Sequence, residues 1–363
     1  MKTVSVLMST CNGGAHIAAQ LESIRRQNLR PLELWVSDDG SSDETLRIVT
    51  RFAENVPFPV RICVNGEETD PRANVLNAAL LCEGDIIAFC AQGDEWHPGK
   101  LSRCVAEFEA PEVMLVAHSA TILDAQSRYA GYLSQGIQCS QAYPALTLPP
   151  WGSFLAGTMV FRRDLLAWPP AREQSRRPDA AGQVMRADRW LYALAHGLGS
   201  IVTLAHPLMA TRHVPPHPEG LLRKLLAGHG RLSPLSAARR LRHLEATAMQ
   251  RSQVMSALVL ARPPRLQVEA ARAAAVFWQR MAMICALRAA VYDAPTFARR
   301  KVAFDRLVAL GSYSLARGEG LAGGLLVRDA LTGLLQLPGL VPSVADAGPV
   351  EAGPGLESWA WPH

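Results

Sequence analysis

Two adjacent carboxylates at the end of an apolar run are the first residues in this chain equipped for chemistry. The stretch Leu34-Trp35-Val36-Ser37-Asp38-Asp39-Gly40-Ser41-Ser42-Asp43-Glu44-Thr45 reads as a strand, a tight turn and a helix start. The apolar run stops at acids, glycine turns the chain, and serine and aspartate are helix-capping types. Beyond the carboxyl ends of strands in an open α/β sheet lies the crevice where ligands bind. A carboxylate there can accept from a ribose hydroxyl or a base N–H. The plainer reading gives one acid to the helix cap and the other to solvent.

Asp188, two residues before Trp190, is the second candidate. An alcohol is a poor nucleophile, and a carboxylate within hydrogen-bond reach can take its proton. An acid near a helix start also suits the helix dipole in any protein. The third candidate is the polar loop Ala91-Gln92-Gly93-Asp94-Glu95-Trp96-His97-Pro98-Gly99. Its acids read either as oxygen ligands or as a helix N-terminal pair ahead of Pro98.

The elements that must position these residues alternate. Val4-Ser5-Val6-Leu7-Met8-Ser9 reads as a strand buried on two faces, and Ile17, Leu21 and Ile24 follow at helical spacing. Strands are predicted at 33–39, 60–64, 85–90, 113–118, 157–161 and 200–204, with helices between them, which implies parallel pairing through crossover helices. Residues 126–150 lack a period and read as a mobile loop, residues 169–182 as exposed, and residues 207–218 as turn-rich. From about Leu221 the strand signals fade, and 235–250, 266–291 and 297–310 read as amphipathic helices. The division predicted is a domain over 1–219, a helical region over 220–340, and a poorly ordered tail over 341–363.

Charge follows that division. Residues 220–363 carry 18 Lys and Arg against 9 Asp and Glu, which leaves 19 against 23 for residues 1–219. The basic part suits an anionic surface, though an ordinary solvated helix face explains it too. With aromatics at 6% and an acidic first part, nucleic acid is not an expected partner. The seven cysteines are scattered without C-x-x-C spacing, which suits reduced thiols in a cytoplasmic protein. Met1-Lys2-Thr3 runs straight into a strand, so no signal peptide is expected. Nor is a membrane span, since no uninterrupted apolar run of about 18 residues occurs. P-loop and Gly-x-Ser-x-Gly motifs are absent from the sequence, and Gly13-Gly14 is too short a glycine signal for a dinucleotide fingerprint. Pro215-Pro216 between His213 and His217 argues against a zinc pair on a helix.

The early chain resembles the inverting, nucleotide-sugar-dependent glycosyltransferases of family 2, with the GT-A fold. The likeness rests on Val4 to Asn12, Leu34 to Asp43, Asn74, Glu95 to Leu101, Gly157-Thr158 and Asp188-Arg189-Trp190-Leu191. Its nearest flavour is that of rhamnosyltransferase-like enzymes of bacterial surface polysaccharide assembly. The resemblance implies an α/β fold with a Rossmann-type, mostly parallel sheet flanked by helices, followed by a helical C-terminal region. It implies Ser9 and Cys11 in the nucleobase pocket, Asp39 accepting from the base with Asp38 beside it, Arg72 near the nucleotide, and Asp188 as general base. Trp190, Arg212 and His213 fall on the acceptor or diphosphate side. A nucleotide-sugar donor and a glycan or lipid-linked glycan acceptor are the implied partners. The location implied is the cytoplasm, at or near the inner face of the membrane.

One departure matters. The family pattern Asp-x-Asp-Asp meets Ala91-Gln92-Gly93-Asp94 here, so two acids expected to hold ribose and metal are gone. Mg²⁺ or Mn²⁺ normally neutralises the diphosphate leaving group through oxygen ligands. Three readings stand: Asp94 holds the ion alone, cationic side chains such as Arg212 and His213 replace it, or the protein is a homologue that binds nucleotide or a partner without transferring sugar.

Overall fold

Alternation along single strands sorts the core into two layers. In β1 (Val4–Thr10), Val4, Val6 and Met8 pack on one face of the sheet and Leu7 on the other. In β4 (Ile86–Cys90), Ile86, Ala88 and Cys90 share the first layer, while Ile87 and Phe89 share the second. Successive side chains of a strand point to opposite faces, so a strand covered on both sides must be apolar throughout. The computed structural model describes residues 2–66, 71–169, 171, 186–212, 234–312, 326 and 329–336, with the side chains of 71–73 and 234 excepted.

The first layer is closed by α1 (Ile17–Arg25), α2 (Thr45–Ala53) and α4 (Lys100–Ala106), through Ile17, Leu21, Ile24, Val49, Leu101 and Cys104. The second is closed by α3 (Pro71–Ala79), α5 (Asp164–Ala167) and α6 (Ala187–Leu198). The remaining strands are β2 (Glu33–Asp38), β3 (Val60–Val64), β5 (Glu95–Trp96), β6 (Val113–Leu123), β7 (Tyr129–Leu133), β8 (Gln141–Tyr143), β9 (Met159–Arg162) and β10 (Ser200–Thr211). They join in the order β3-β2-β1-β4-β9-β6-β10-β5, with β7 on β6 and β8 on β10. Strands β1, β2, β3, β4, β6 and β10 run one way; β9, between β4 and β6, runs against them. This is the expected GT-A-like α/β architecture, mostly parallel and flanked by helices.

The helical C-terminal region is also present. Helices α7 (Pro234–Ala261) and α8 (Val268–Asp293) pack along each other, and α9 (Phe297–Ala309) lies against α8. Met255, Ala271, Ala274 and Trp278 join the same core as Trp190 and Leu194 of α6. The approach is close: a Cβ on Gly197 would stand 2.9 Å from the Ala274 Cβ. Arg251 crosses the seam, buried over the rings of Trp151 and Trp278 and donating to the Pro150 carbonyl at 3.2 Å. Among the described helices, α8 is long and apolar enough to cross a membrane, a possibility the sequence reading set aside for want of an uninterrupted run. Its inward residues lie in the core just described.

Three local expectations change. Residues 126–150 carry strands β7 and β8, missed because both are short and their residues are largely exposed, so no apolar period marks them. Glu95 does not open a helix but pairs with Ala210 in β5, and α4 starts after Gly99. Residues 207–211 continue β10 through register shifts at Pro207 rather than forming turns. Most of 169–182, residues 213–218 of the turn-rich stretch and the tail over 341–363 fall outside the described residues.

Candidate active site

The loops that follow β1 and β2 are locked together. Backbone N–H groups of Asn12, Gly13 and Gly14 donate to Ser41 Oγ, Thr45 Oγ1 and Asp43 Oδ2 at 2.8, 2.8 and 2.9 Å. The Ser42 N–H returns a bond to Asn12 Oδ1 at 2.9 Å. The Ser-Ser-Asp run that reads as a helix cap thus holds the neighbouring loop as well. Gly40 turns the chain between them at φ +77°, in the left-handed region that glycine enters without strain.

That turn separates the roles of the two acids. Asp38 is buried, and both its oxygens accept from Ser41, from the N–H at 2.8 Å and the hydroxyl at 2.5 Å. It braces the turn and does not face a ligand, a correction to its expected place beside the base. Asp39 is half-buried. Its Oδ1 accepts from Asn65 at 2.9 Å and Asn74 at 2.5 Å, and its N–H donates to Thr10 O at 2.9 Å. Among the described residues no bond claims Oδ2. The exposed Cys11 sits beside it, with Sγ 3.5 Å from the Asp39 carbonyl oxygen. Asn65 is a positioning residue the sequence reading passed over; an amide directly after a strand is common enough in turns to carry no signal.

Loop 91–94 closes the next side. Gln92 Oε1 accepts the Cys11 N–H at 2.7 Å, which ties this loop to the end of β1. Asp94 is only 1% exposed; it accepts the Ala91 N–H at 2.9 Å and backs onto Gly157, where a Cβ would fall 2.1 Å from Oδ2. Burial pushes its carboxyl up to about 6, with the buried Lys100 and the Thr211 hydroxyl pulling the other way. Burial likewise draws Lys100 down to about 8; its Nζ donates to Gly157 O at 2.6 Å and lies over the Trp96 ring. Arg212 reaches the same loop, donating to Gly93 O at 2.9 Å, Glu95 at 2.5 Å and Ser127 at 2.6 Å.

Asp188 stands in the first turn of α6, where an acid suits the dipole. Arg186 grips both its oxygens, Nε to Oδ1 at 3.1 Å and Nη2 to Oδ2 at 2.8 Å, and Ser153 donates to Oδ2 at 3.1 Å. An open cleft of about 230 Å³ joins this carboxylate to the end of β1. Ser9, Ala91, Ala156, Arg186 and Asp188 are among its walls. So is Val75, next to the Asn74 that holds Asp39.

Other expected residues are not brought to the cleft. Trp190 is fully buried in the core and cannot meet an acceptor. Arg212 is committed to loop 91–95, its side chain 9% exposed. The Arg72 side chain and His213 lie outside the described residues. Nor do the described residues fit a divalent ion. Ala91 and Gly93 offer no carboxylate, Asp94 is turned beneath the loop, and no group of three His, Cys, Asp or Glu stands close enough among the described residues.

The raised Asp94 carboxyl has a consequence for stability. The folded state binds more protons than the unfolded one between about pH 4 and pH 6, so this group's contribution is fullest below pH 4 and is lost as pH rises through 6. Asp94→Asn keeps an acceptor for the Ala91 N–H and cannot ionise. Its melting temperature is expected to gain on the wild type as pH rises from 4 to 7. A constant difference across paired thermal melts would refute the assignment.

Residues 5–167 match the model of glycosyl transferase family 2. An uncharacterised glycosyltransferase of Nostoc sp. is 24% identical over 168 residues, 45% of this chain and 52% of that protein. The Escherichia coli UDP-Glc:alpha-D-GlcNAc-diphosphoundecaprenol beta-1,3-glucosyltransferase is 28% identical over 114 residues, 31% of this chain and 44% of that one. Staphylococcus aureus TarS residues 1–349, solved with UDP-GlcNAc, superposes with a TM-score of 0.47 at 15% identity, covering 90% of this chain and 91% of that one. The chain spans about half the length of the first curated relatives it matches. The domain over residues 5–167 belongs to glycosyl transferase family 2.

Proposed function

We propose that the protein moves a sugar from a nucleotide-sugar donor to a saccharide or lipid-linked saccharide acceptor, with inversion. The observation that carries this reading is the single cleft that Ser9 and Asp188 both line, with Val75, next to the Asn74 that holds Asp39, among its walls. Asp39 Oδ2 accepts from the base and Ser9 borders the nucleoside, while Asp188 faces the acceptor hydroxyl. The acceptor oxygen bonds the anomeric carbon from the face opposite the diphosphate. The bond to the diphosphate oxygen breaks with both electrons staying on that oxygen, and the acceptor proton passes to Asp188. One displacement inverts the centre.

The lipid-linked acceptor is supported by the diphosphoundecaprenol-linked acceptor that the Escherichia coli relative is named for and by the basic C-terminal region, which we place against the anionic cytoplasmic face of the membrane. The test is a thermal-shift panel of nucleoside diphosphates and their sugars. One base is expected to raise the melting temperature in proportion to the logarithm of ligand concentration, and its sugar to be consumed when a lipid-diphosphate saccharide is added. Stabilisation by none of them at millimolar concentration would overturn the reading. Stabilisation without sugar consumption would leave a binding homologue.

A further inference from the structure

A diphosphate that departs as the bond breaks gathers negative charge, and a cation must meet it. The acids that would bring a metal are replaced at Ala91 and Gly93, and Asp94 is buried. Two described cations near loop 91–94 are already committed. Lys100 is fully buried on Gly157 O, and Arg212 is spent on Gly93, Glu95 and Ser127. Arg186 differs from both. It lines the cleft with Ser9 and Ala91, its side chain is 51% exposed, and its bonds in the described structure go to Asp188, 9% exposed, behind it.

We propose that Arg186 is the group that takes the donor diphosphate in place of a divalent ion, and that it leaves Asp188 to do so. The assignment rests on the transferase reading above. A guanidinium presents paired N–H groups that match a phosphate as well as a carboxylate, so one fork serves either partner. Without donor, the pair neutralises itself, and Arg186 and Ser153 take three of the roughly four acceptor positions of the Asp188 carboxylate. Donor binding draws the guanidinium onto the diphosphate and leaves the carboxylate, still held by Ser153, open to the acceptor hydroxyl. Binding of the first substrate thereby arms the base, and the free enzyme is spared a bare carboxylate in its cleft.

The experiment is calorimetric titration, in EDTA, of uridine, guanosine, adenosine and thymidine and of their diphosphates. The wild type is expected to bind one diphosphate at least about tenfold more tightly than its nucleoside, the order of a charge-assisted pair. Arg186→Gln should bring that preference below about threefold while the nucleoside affinity holds. Arg186→Lys should restore part of it. Asp188→Asn, which releases the guanidinium, should tighten diphosphate binding, an effect that a merely structural Arg186 would not produce. A preference that survives Arg186→Gln, or one that the wild type shows only with Mn²⁺, overturns the assignment and leaves the transferase reading standing. Binding of no nucleoside or diphosphate removes that reading, and this assignment with it.

Discussion

Asp188→Asn is expected to fold, bind donor and lose transfer by about 10²–10⁴-fold, the span that a positioned general base contributes. The substitution is nearly isosteric. The asparagine oxygen can keep the Ser153 bond, and the exposed Arg186 can turn to solvent. What is lost is the capacity to take a proton. The fall should therefore appear in kcat, with little rise in the donor KM. Initial rates of donor consumption with acceptor present, read beside a melting curve, check it. A variant that turns over at the wild-type rate would remove Asp188 from the chemistry.

Gly157→Ala is expected to have the largest effect on stability. The new methyl would stand 2.1 Å from Asp94 Oδ2, 3.1 Å from its Cγ and 3.1 Å from Met209 Cε. None of these can retreat cheaply. Asp94 is buried and holds the Ala91 N–H, and Met209 is fully buried in the core. Overpacking of this kind costs about 1–3 kcal/mol, and loss of the Ala91 bond would add about 1–3 kcal/mol more. In a domain of this size that corresponds to a fall of roughly 5–15 °C in melting temperature. Because Ala91 is a wall of the cleft, nucleotide affinity should fall with it. A melting temperature within 1 °C of the wild type would show that loop 91–94 gives way easily.

The sequence disclosed what is local and periodic. The strand at 4–10 and the strand-turn-helix at 33–53 were legible because buried parallel strands are unbroken apolar runs and the turn carries its own residues. Which of the two acids braces the turn and which is held by the two asparagines was not legible. Asp38 and Asp39 are equivalent as letters, and Ser41 on one side and Asn65 with Asn74 on the other tell them apart. Arg212 was misjudged for a related reason: its partners Gly93 and Glu95 lie 119 and 117 residues away, so its cation looked free. Arg186 carried no signal at all, since an arginine two residues before an acid is unremarkable until a cleft opens beside it. Asp94 looked like the surviving ligand, and only burial shows that it is turned inward.

The packing of α6 against α8 bears on how such a chain can diversify. A helix that starts with the proposed proton acceptor carries, farther along, the glycine on which the C-terminal hairpin rests. Shuffling that hairpin among relatives would succeed only where the incoming surface tolerates the same near-touching backbones.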